Sequence, residues 1–333
     1  MAEVSTRDVR EFLSQIQGQR VTLKELRAEL NILPGTKSFD LIRSIIFQLA
    51  EQKIVRSLGI RGEYKVITQV EPVPVFAEAL PPPAIVMFPR DLDTHFEMDF
   101  AEDIVLRQGD LILLAGRSNF GKTALCMNFC AENIDQHPVL MGNEYTTIDN
   151  KPSPRFLLRI ENMDWVKWRD ESGRAKFTLL PVRADYAEHI VKDRINIIDW
   201  INIDTGEHFL IGPIMEAIKR ELGKGIGIIA IQKAEGAESG RGGQFTKDFC
   251  DCELLLDKFG ETDDVLLTIG KIKEPKRRVV GRTFVYGISQ GVKIINFREV
   301  VKCKSCWGKG WKLNKPCEDC SKSGYINKEK HGQ

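Results

Sequence analysis

Gly116, Arg117, Ser118, Asn119, Phe120, Gly121, Lys122 and Thr123 form a loop bounded by two glycines and closed by Lys-Thr. Glycines at those positions let consecutive backbone N–H groups curl around phosphate oxygens. The lysine ammonium then reaches the terminal phosphates, and the threonine hydroxyl can hold magnesium. An apolar run, Leu111 to Ala115, leads into the loop, and a helix-forming stretch, Ala124 to Ala131, leaves it. A helix beginning there aims the positive end of its dipole at the same anion. A plain strand-to-helix turn in an unrelated α/β protein would need neither the lysine nor the threonine. The loop is therefore expected to cradle a nucleoside triphosphate, ATP, together with Mg2+.

Splitting that triphosphate requires further groups at neighbouring strand ends. The run Arg194 to Ile198 ends on Asp199, a carboxylate placed to hold the metal through water. The run Val139 to Gly142 leads to Glu144, which could polarise the attacking water. A strand over 226–231 ends at Gln232, whose amide can sense the γ-phosphate by hydrogen bonding. A strand-end Asp capping a turn and a solvated loop Glu are the plain alternatives for the two acids. Beyond Gln232, the segment Lys233 to Lys247 carries Gly236, Gly240, Gly242, Gly243 and Arg241. Such a loop either orders on a nucleic-acid backbone or simply connects two elements.

A second chemistry lies near the C-terminus. Cys303 and Cys306, then Cys317 and Cys320, make two C-x-x-C pairs separated by ten residues. Four thiolates from two such turns complete a tetrahedral Zn2+ site with no open position, which makes it structural. Cys126, Cys130, Cys250 and Cys252 read as small core residues in a reducing compartment. Residues 301–333 carry eight lysines against three acids, with Trp307, Trp311 and Tyr325 interleaved. Those rings could stack on single-stranded nucleic acid or supply the small core that a zinc module needs. The core role is favoured for at least one tryptophan.

These groups must be positioned by larger elements, and the chain falls into zones. Over residues 1–68, helices are expected at Thr6–Ile16, Leu23–Leu30 and Phe39–Gln52, followed by two strands within 54–67. Three helices and a hairpin are the order of a winged helix. This zone has 11 Lys/Arg against 8 Asp/Glu. That modest excess fits either DNA contact through Lys37, Arg43, Arg56 and Arg61 or a protein-docking module. Residues 69–91, with Pro72, Pro74 and Pro81 to Pro83, read as an extended linker. Residues 92–298 alternate short apolar strands with helices, the pattern of an α/β fold with a mostly parallel sheet. Strands are expected at 110–115, 138–142, 177–182, 194–198, 226–231, 252–257, 264–270 and 283–288, the last few antiparallel. Residues 299–333 form the four-cysteine zinc module. A net charge of +1 excludes a uniformly basic coat. No run approaches the roughly 18 apolar residues of a membrane span, and the first residues lack an apolar secretory core. A cytoplasmic protein without membrane contact is expected.

Taken in order, Ala115 to Leu125, Asn143-Glu-Tyr145, Ile197 to Trp200 and Ile229 to Lys233 closely resemble the RecA-like ATPase domain of DnaB-type replicative helicases, superfamily IV. The resemblance covers most of residues 92–298. It implies a RecA-like P-loop core in which Lys122 and Thr123 bind phosphate and magnesium. It further implies Glu144 as catalytic glutamate, Asp199 as Walker B acid and Gln232 as γ-phosphate sensor. The family also carries a Lys-x-Arg pair that reaches the neighbouring subunit's nucleotide. Here that stretch is Lys271-Ile-Lys273, so a lysine replaces the arginine finger, with Arg277 and Arg278 following. Lysine is a point charge rather than a planar fork and clamps a transition state less well. Six basic residues against one acid between Lys271 and Arg282 also suit contact with nucleic acid. The family's helical N-terminal domain is replaced by the winged-helix-like zone. The C-x-x-C-x-G-x-G pattern resembles one repeat of the zinc region of DnaJ-type chaperones.

The resemblance implies single-stranded DNA as partner and a homo-oligomer with nucleotide at subunit interfaces. Replication or recombination proteins would be recruited through the end modules. The domain combination suggests a phage or other mobile element, and hence a bacterial or phage-infected cell. Two functions are expected in competition. One is a nucleic-acid-dependent ATPase that includes helicases. The other is a nucleotide-switched adaptor or loader that docks partners without unwinding.

Overall fold

The structure is a computed structural model describing residues 4–69, 80–142, 144–201, 210–233, 240 and 243–328. The chain divides into two compact units, Met1–Leu80 and Pro81–Gln333. Most of the proline-bearing segment expected as a linker, residues 70–79, lies outside the described residues.

The first unit runs α1 (Thr6–Gln15), β1 (Arg20–Thr22), α2 (Leu23–Glu29), α3 (Lys37–Glu51), β2 (Val55–Ser57) and β3 (Glu63–Val66). Both early helices start on reciprocal caps, Ser5 with Asp8 and Thr22 with Glu25, which satisfy amide groups that have no partner within the helix. The strands pair antiparallel in the order β1-β3-β2. Ile42, Ile45, Ile46 and Leu49 of α3 pack with Val9, Leu13 and Leu26, the helical spacing made visible as a core.

The second unit is built on a ten-stranded sheet. Its parallel part comes from β4 (Leu111–Gly116), β5 (Val139–Met141), β6 (Thr178–Leu180), β7 (Ile195–Ile198), β8 (Ile226–Gln232) and β9 (Cys252–Lys258). The antiparallel part comes from β10 (Val265–Ile272), β11 (Thr283–Ser289), β12 (Lys293–Lys302) and, past a two-strand hairpin of β13 (Trp311–Lys312) and β14 (Lys315–Pro316), β15 (Tyr325–Asn327). Spatial order is β15-β12-β11-β10-β9-β4-β8-β7-β5-β6. Counting β4, β5, β7, β8 and β9 as first to fifth in the chain, the central strands lie 5-1-4-3-2. That is the RecA-like P-loop arrangement, and every one of those pairings is parallel.

Strands buried on both faces read as unbroken apolar runs, and all six residues of β4 are buried. On one face lie α4 (Lys122–Glu132) and α5 (Pro154–Asn162), packed with Phe100, Phe129, Tyr145 and Phe284. On the other, Ile211, Met215 and Ile218 of α6 (Ile211–Glu221) meet Val139, Ile198 and Ile229. Because α4 is covered almost all round, it shows no polar stripe. A short α7 (Gln244–Phe249) leads into β9.

Two features depart from the zones read in the sequence. β12 runs through residues 298 and 299, where a module boundary was expected, and residues 300–302 pair with β15. The four-cysteine segment is thus an excursion between two neighbouring strands of the main sheet. Secondly, neither tryptophan of that segment is buried: Trp307 is 81% exposed and Trp311 47%, while the four cysteines and Ile326 form its interior. Among the described residues, no helix is long and apolar enough to cross a membrane.

Candidate functional site

The parallel strands deliver their C-terminal ends to one edge, where ligands collect in open α/β sheets. In the β4–β8 register Gly116 faces Gln232, and in the β5–β7 register Met141 faces Ile198. The residues just past β4, β5, β7 and β8 therefore emerge side by side. A cleft of about 680 Å³ opens there, lined by Ser118 to Ala124, Glu144, Arg159, Trp200 and Gln232, with Lys258, Thr262, Asp263, Val265, Ile288 and Gly291 opposite.

The bend after β4 depends on Gly121. Its φ of +77° is one that side-chain-bearing residues rarely adopt, and a Cβ there would also push Ile288 Cδ1 aside, 2.6 Å away. Gly121 also serves as the N-cap of α4 without any side-chain cap. The first amides of that helix are thus left to bind an anion. Lys122 folds back into its own loop, donating to the carbonyls of Gly116 at 2.9 Å and Arg117 at 2.6 Å. Burial holds its pKa below the usual lysine value, opposed by the nearby Asp199 carboxylate.

Asp199 is fully buried beneath the cleft. Its Oδ2 accepts from the Tyr145 hydroxyl at 2.7 Å. Burial raises its pKa, while Tyr145 and the adjacent Thr123 hydroxyl pull it down, and both Lys122 and Glu144 are close enough to act on it. Thr123 does not reach normal hydrogen-bond geometry, which leaves Asp199 Oδ1 without a partner. An orphaned carboxylate oxygen beside a threonine hydroxyl is a hard-oxygen donor set, and it fits Mg2+ held directly or through water.

Glu144 stands at the cleft wall, its Oε2 3.6 Å from Arg159 Nη1. Ser153 Oγ donates to the Glu144 carbonyl at 2.8 Å and fixes its backbone. Gln232 Nε2 reaches Ser118 Oγ at 3.4 Å across the mouth of the loop. Lys122, Thr123, Glu144 and Gln232 therefore share one cleft, with Asp199 directly under it. Arg159 was not singled out from sequence. It sits on an amphipathic helix, and nothing in its spacing marks it as facing a ligand rather than solvent. Tyr145 was noted only as part of a pattern, and its role as the buried donor to Asp199 depends on the β5–β7 pairing.

Lys271 and Lys273 lie elsewhere. β10 runs antiparallel to β9, and Ile272 faces Cys252 at the opposite end of the sheet from the loop. That end is about 17 Å away at the usual rise of a strand. Lys273 Nζ bonds the buried Asp251 Oδ1 at 3.0 Å, and Lys271 Nζ donates to the Lys247 carbonyl at 2.5 Å. Lys233 is buried in an ion pair with Asp257. Asn143 and, in the glycine-rich segment, residues 234–239, 241 and 242 lie outside the described residues.

The four cysteines come together as their spacing predicts. All four Sγ atoms lie within 4.8 Å of one another. Cys303 and Cys317 Sγ are 3.8 Å apart, and Cys306 and Cys320 Sγ are 3.7 Å apart. A tetrahedron with Zn–S bonds of about 2.3 Å has edges of about 3.8 Å, so the group fits zinc. Gly310 N–H donates to Cys306 Sγ at 3.2 Å and Gly324 N–H to Cys320 Sγ at 3.3 Å, contacts that favour thiolates.

No family model matches the chain, and no curated protein matches it. Among solved structures it is similar to the RadB recombinase, with a TM-score of 0.42 and 15% identity, spanning 57% of this chain and 91% of that one.

Proposed function

We propose that this chain is a nucleic-acid-dependent ATPase of the RecA-like class acting in DNA replication or recombination, with a DnaB-type helicase as its most specific form. The observation that carries this reading is the shared cleft of Lys122, Thr123, Glu144 and Gln232 above the buried Asp199. In this scheme Lys122 exchanges its two loop carbonyls for the terminal phosphates of ATP. Thr123 and Asp199 hold Mg2+, which neutralises charge on the β- and γ-phosphates. Glu144, released from Arg159, orients water for in-line attack, and Gln232 registers the γ-phosphate. The four cysteines bind one structural Zn2+. The first unit acts as a winged helix over residues 1–68, followed by a linker (69–91), the ATPase core (92–298) and the zinc segment (299–333). Single-stranded DNA is the favoured partner, and the active form is a homo-oligomer with ATP at subunit interfaces.

The test is ATP turnover with and without single-stranded DNA, followed by strand displacement on a forked duplex. Turnover should rise with DNA and disappear in Lys122→Ala while the fold survives. Wild-type turnover in that variant would remove the site assignment. Stimulation without displacement leaves a recombinase or loader. A second reading, a nucleotide-switched adaptor, is favoured by one observation on α3. Its outward face exposes Leu41 and Phe47 among charges of both signs, Lys37 and Arg43 with Asp40 and Glu51. An exposed phenylalanine and leucine suit a protein partner better than a phosphate backbone. Turnover indifferent to DNA would support it.

A further inference from the structure

The zinc segment leaves its most adhesive side chains in water. Trp307 follows Cys306 directly, with a left-handed φ of +56°, and is 81% exposed. Trp311 is 47% exposed at the start of the β13–β14 hairpin, with Lys322 Nζ 5.3 Å from its ring centre. The third ring, Tyr325, is accounted for otherwise: it packs against Phe259, with ring centres 6.4 Å apart. The segment's interior needs neither tryptophan, since four sulfurs and Ile326 fill it. Two large rings are thus held on the four-cysteine turns: Trp307 stands free in water, and Trp311 keeps about half its surface exposed while one face meets Lys322.

The charge around them is mostly positive: over 301–328 seven lysines stand against Glu318 and Asp319. Lys304, Lys309, Lys312 and Lys315 are exposed and make no ion pair among the described residues. Of the nearby acids, Asp319 accepts from Ser305 Oγ, Glu261 pairs with Lys322, and Glu318 is exposed. Trp311 is four positions after Trp307, so their Cα atoms lie within about 14 Å. A few nucleotides would span them.

We infer that the four-cysteine segment is a second nucleic-acid site, on which Trp307 and Trp311 stack unpaired bases while the surrounding lysines neutralise the phosphates. Single strands are specified because the ring faces need base faces, and a duplex buries those in its own stack. An unfolded peptide would use the rings but leave the lysines without a counterpart, unless it were strongly acidic. The site uses neither the cleft nor ATP, so it stands or falls apart from the proposed turnover.

The experiment uses the full chain loaded with zinc, without nucleotide, and fluorescein-labelled dT12 followed by anisotropy over a range of salt. Trp307→Ala and Trp311→Ala should each weaken binding by about 5- to 100-fold, the range of one lost base stack. Trp307→Phe should keep most of the affinity. Lys309→Ala and Lys312→Ala should each reduce the slope of log affinity against log salt by about 0.7. Lys122→Ala should bind like the parent, which separates this result from failure of the ATPase reading. Unchanged dT12 affinity in the double tryptophan variant, with zinc content intact, overturns the inference. So does a 12-base-pair duplex that binds as tightly as dT12. A third contrary result is tryptophan quenching by carboxymethylated unfolded polypeptide but not by dT12.

Discussion

Glu253 illustrates what a single residue can hide. It lies in β9 between Cys252 and Leu254, fully buried, and both its carboxylate oxygens lack a hydrogen-bond partner. Burial raises its pKa, and the nearby Lys247, Lys271 and Lys233 only partly offset that. An acid whose folded pKa exceeds its unfolded value of about 4.3 adds stability below the unfolded pKa. That contribution is lost as pH rises through the folded pKa. Glu253→Gln keeps the buried polar atoms but removes the buried charge, and should therefore raise stability at pH 8 by about 1–3 kcal/mol. The gain should shrink to nothing near pH 4. Urea midpoints of parent and variant at both pH values decide it, and a difference that ignores pH counts against the argument. Sequence marks Glu253 only as a charge inside an apolar run. By contrast, the convergence of Lys122, Thr123, Asp199 and Gln232 on one edge was legible because each follows a strand that an apolar run reveals. Arg159 was illegible because a helix face exposes its partner only after packing.

At the scale of elements, the parallel strands were readable to within a residue or two, since burial on both faces leaves a continuous apolar signature. β12 was not recognised as a strand because only Ile294 and Val300 of its ten residues are buried and it carries Lys293, Arg298, Glu299 and Lys302. Its partner β15 is only three residues long, too short for periodicity to register. What brings β5 and β7 close enough to place Asp199 is Gly142. A Cβ there would lie 1.7 Å from the Asp199 carbonyl oxygen and 2.7 Å from its carbonyl carbon. Both atoms are backbone, so relief requires the end of β7 to move and Asp199 to move with it. Gly142→Ala should lower stability by about 2–4 kcal/mol and suppress turnover even where the chain remains folded. A denaturation midpoint equal to the parent's would show that the strands tolerate the separation.

For the whole molecule, the positions of Lys271 and Lys273 decide what an assembly would have to supply. Both sit at the far end of the sheet from Lys122, so neither can serve the cleft of its own chain. Each is also engaged, Lys273 with Asp251 and Lys271 with the carbonyls of Lys247 and Asp248. In the turn between β10 and β11, Arg277 is held by Glu102 at 2.7 Å and Asp103 at 2.5 Å. Arg278 is exposed and makes no ion pair or hydrogen bond among the described residues. A planar guanidinium also suits a phosphoryl transition state better than an ammonium. Arg278 is therefore the group expected to enter a neighbour's cleft, in place of the lysine at the aligned position. Arg278→Ala should lower turnover by about a thousandfold, the low end for a finger supplied in trans. Because it keeps an intact cleft and Lys122→Ala keeps an intact Arg278, an equal mixture of the two inactive chains should recover activity. In a head-to-tail assembly about a quarter of interfaces would pair a working cleft with a working finger. Turnover measured across mixing ratios gives the answer. A mixture as inactive as its components, or an Arg278→Ala chain that turns over normally, would return the role to Lys273 or leave each cleft to act alone.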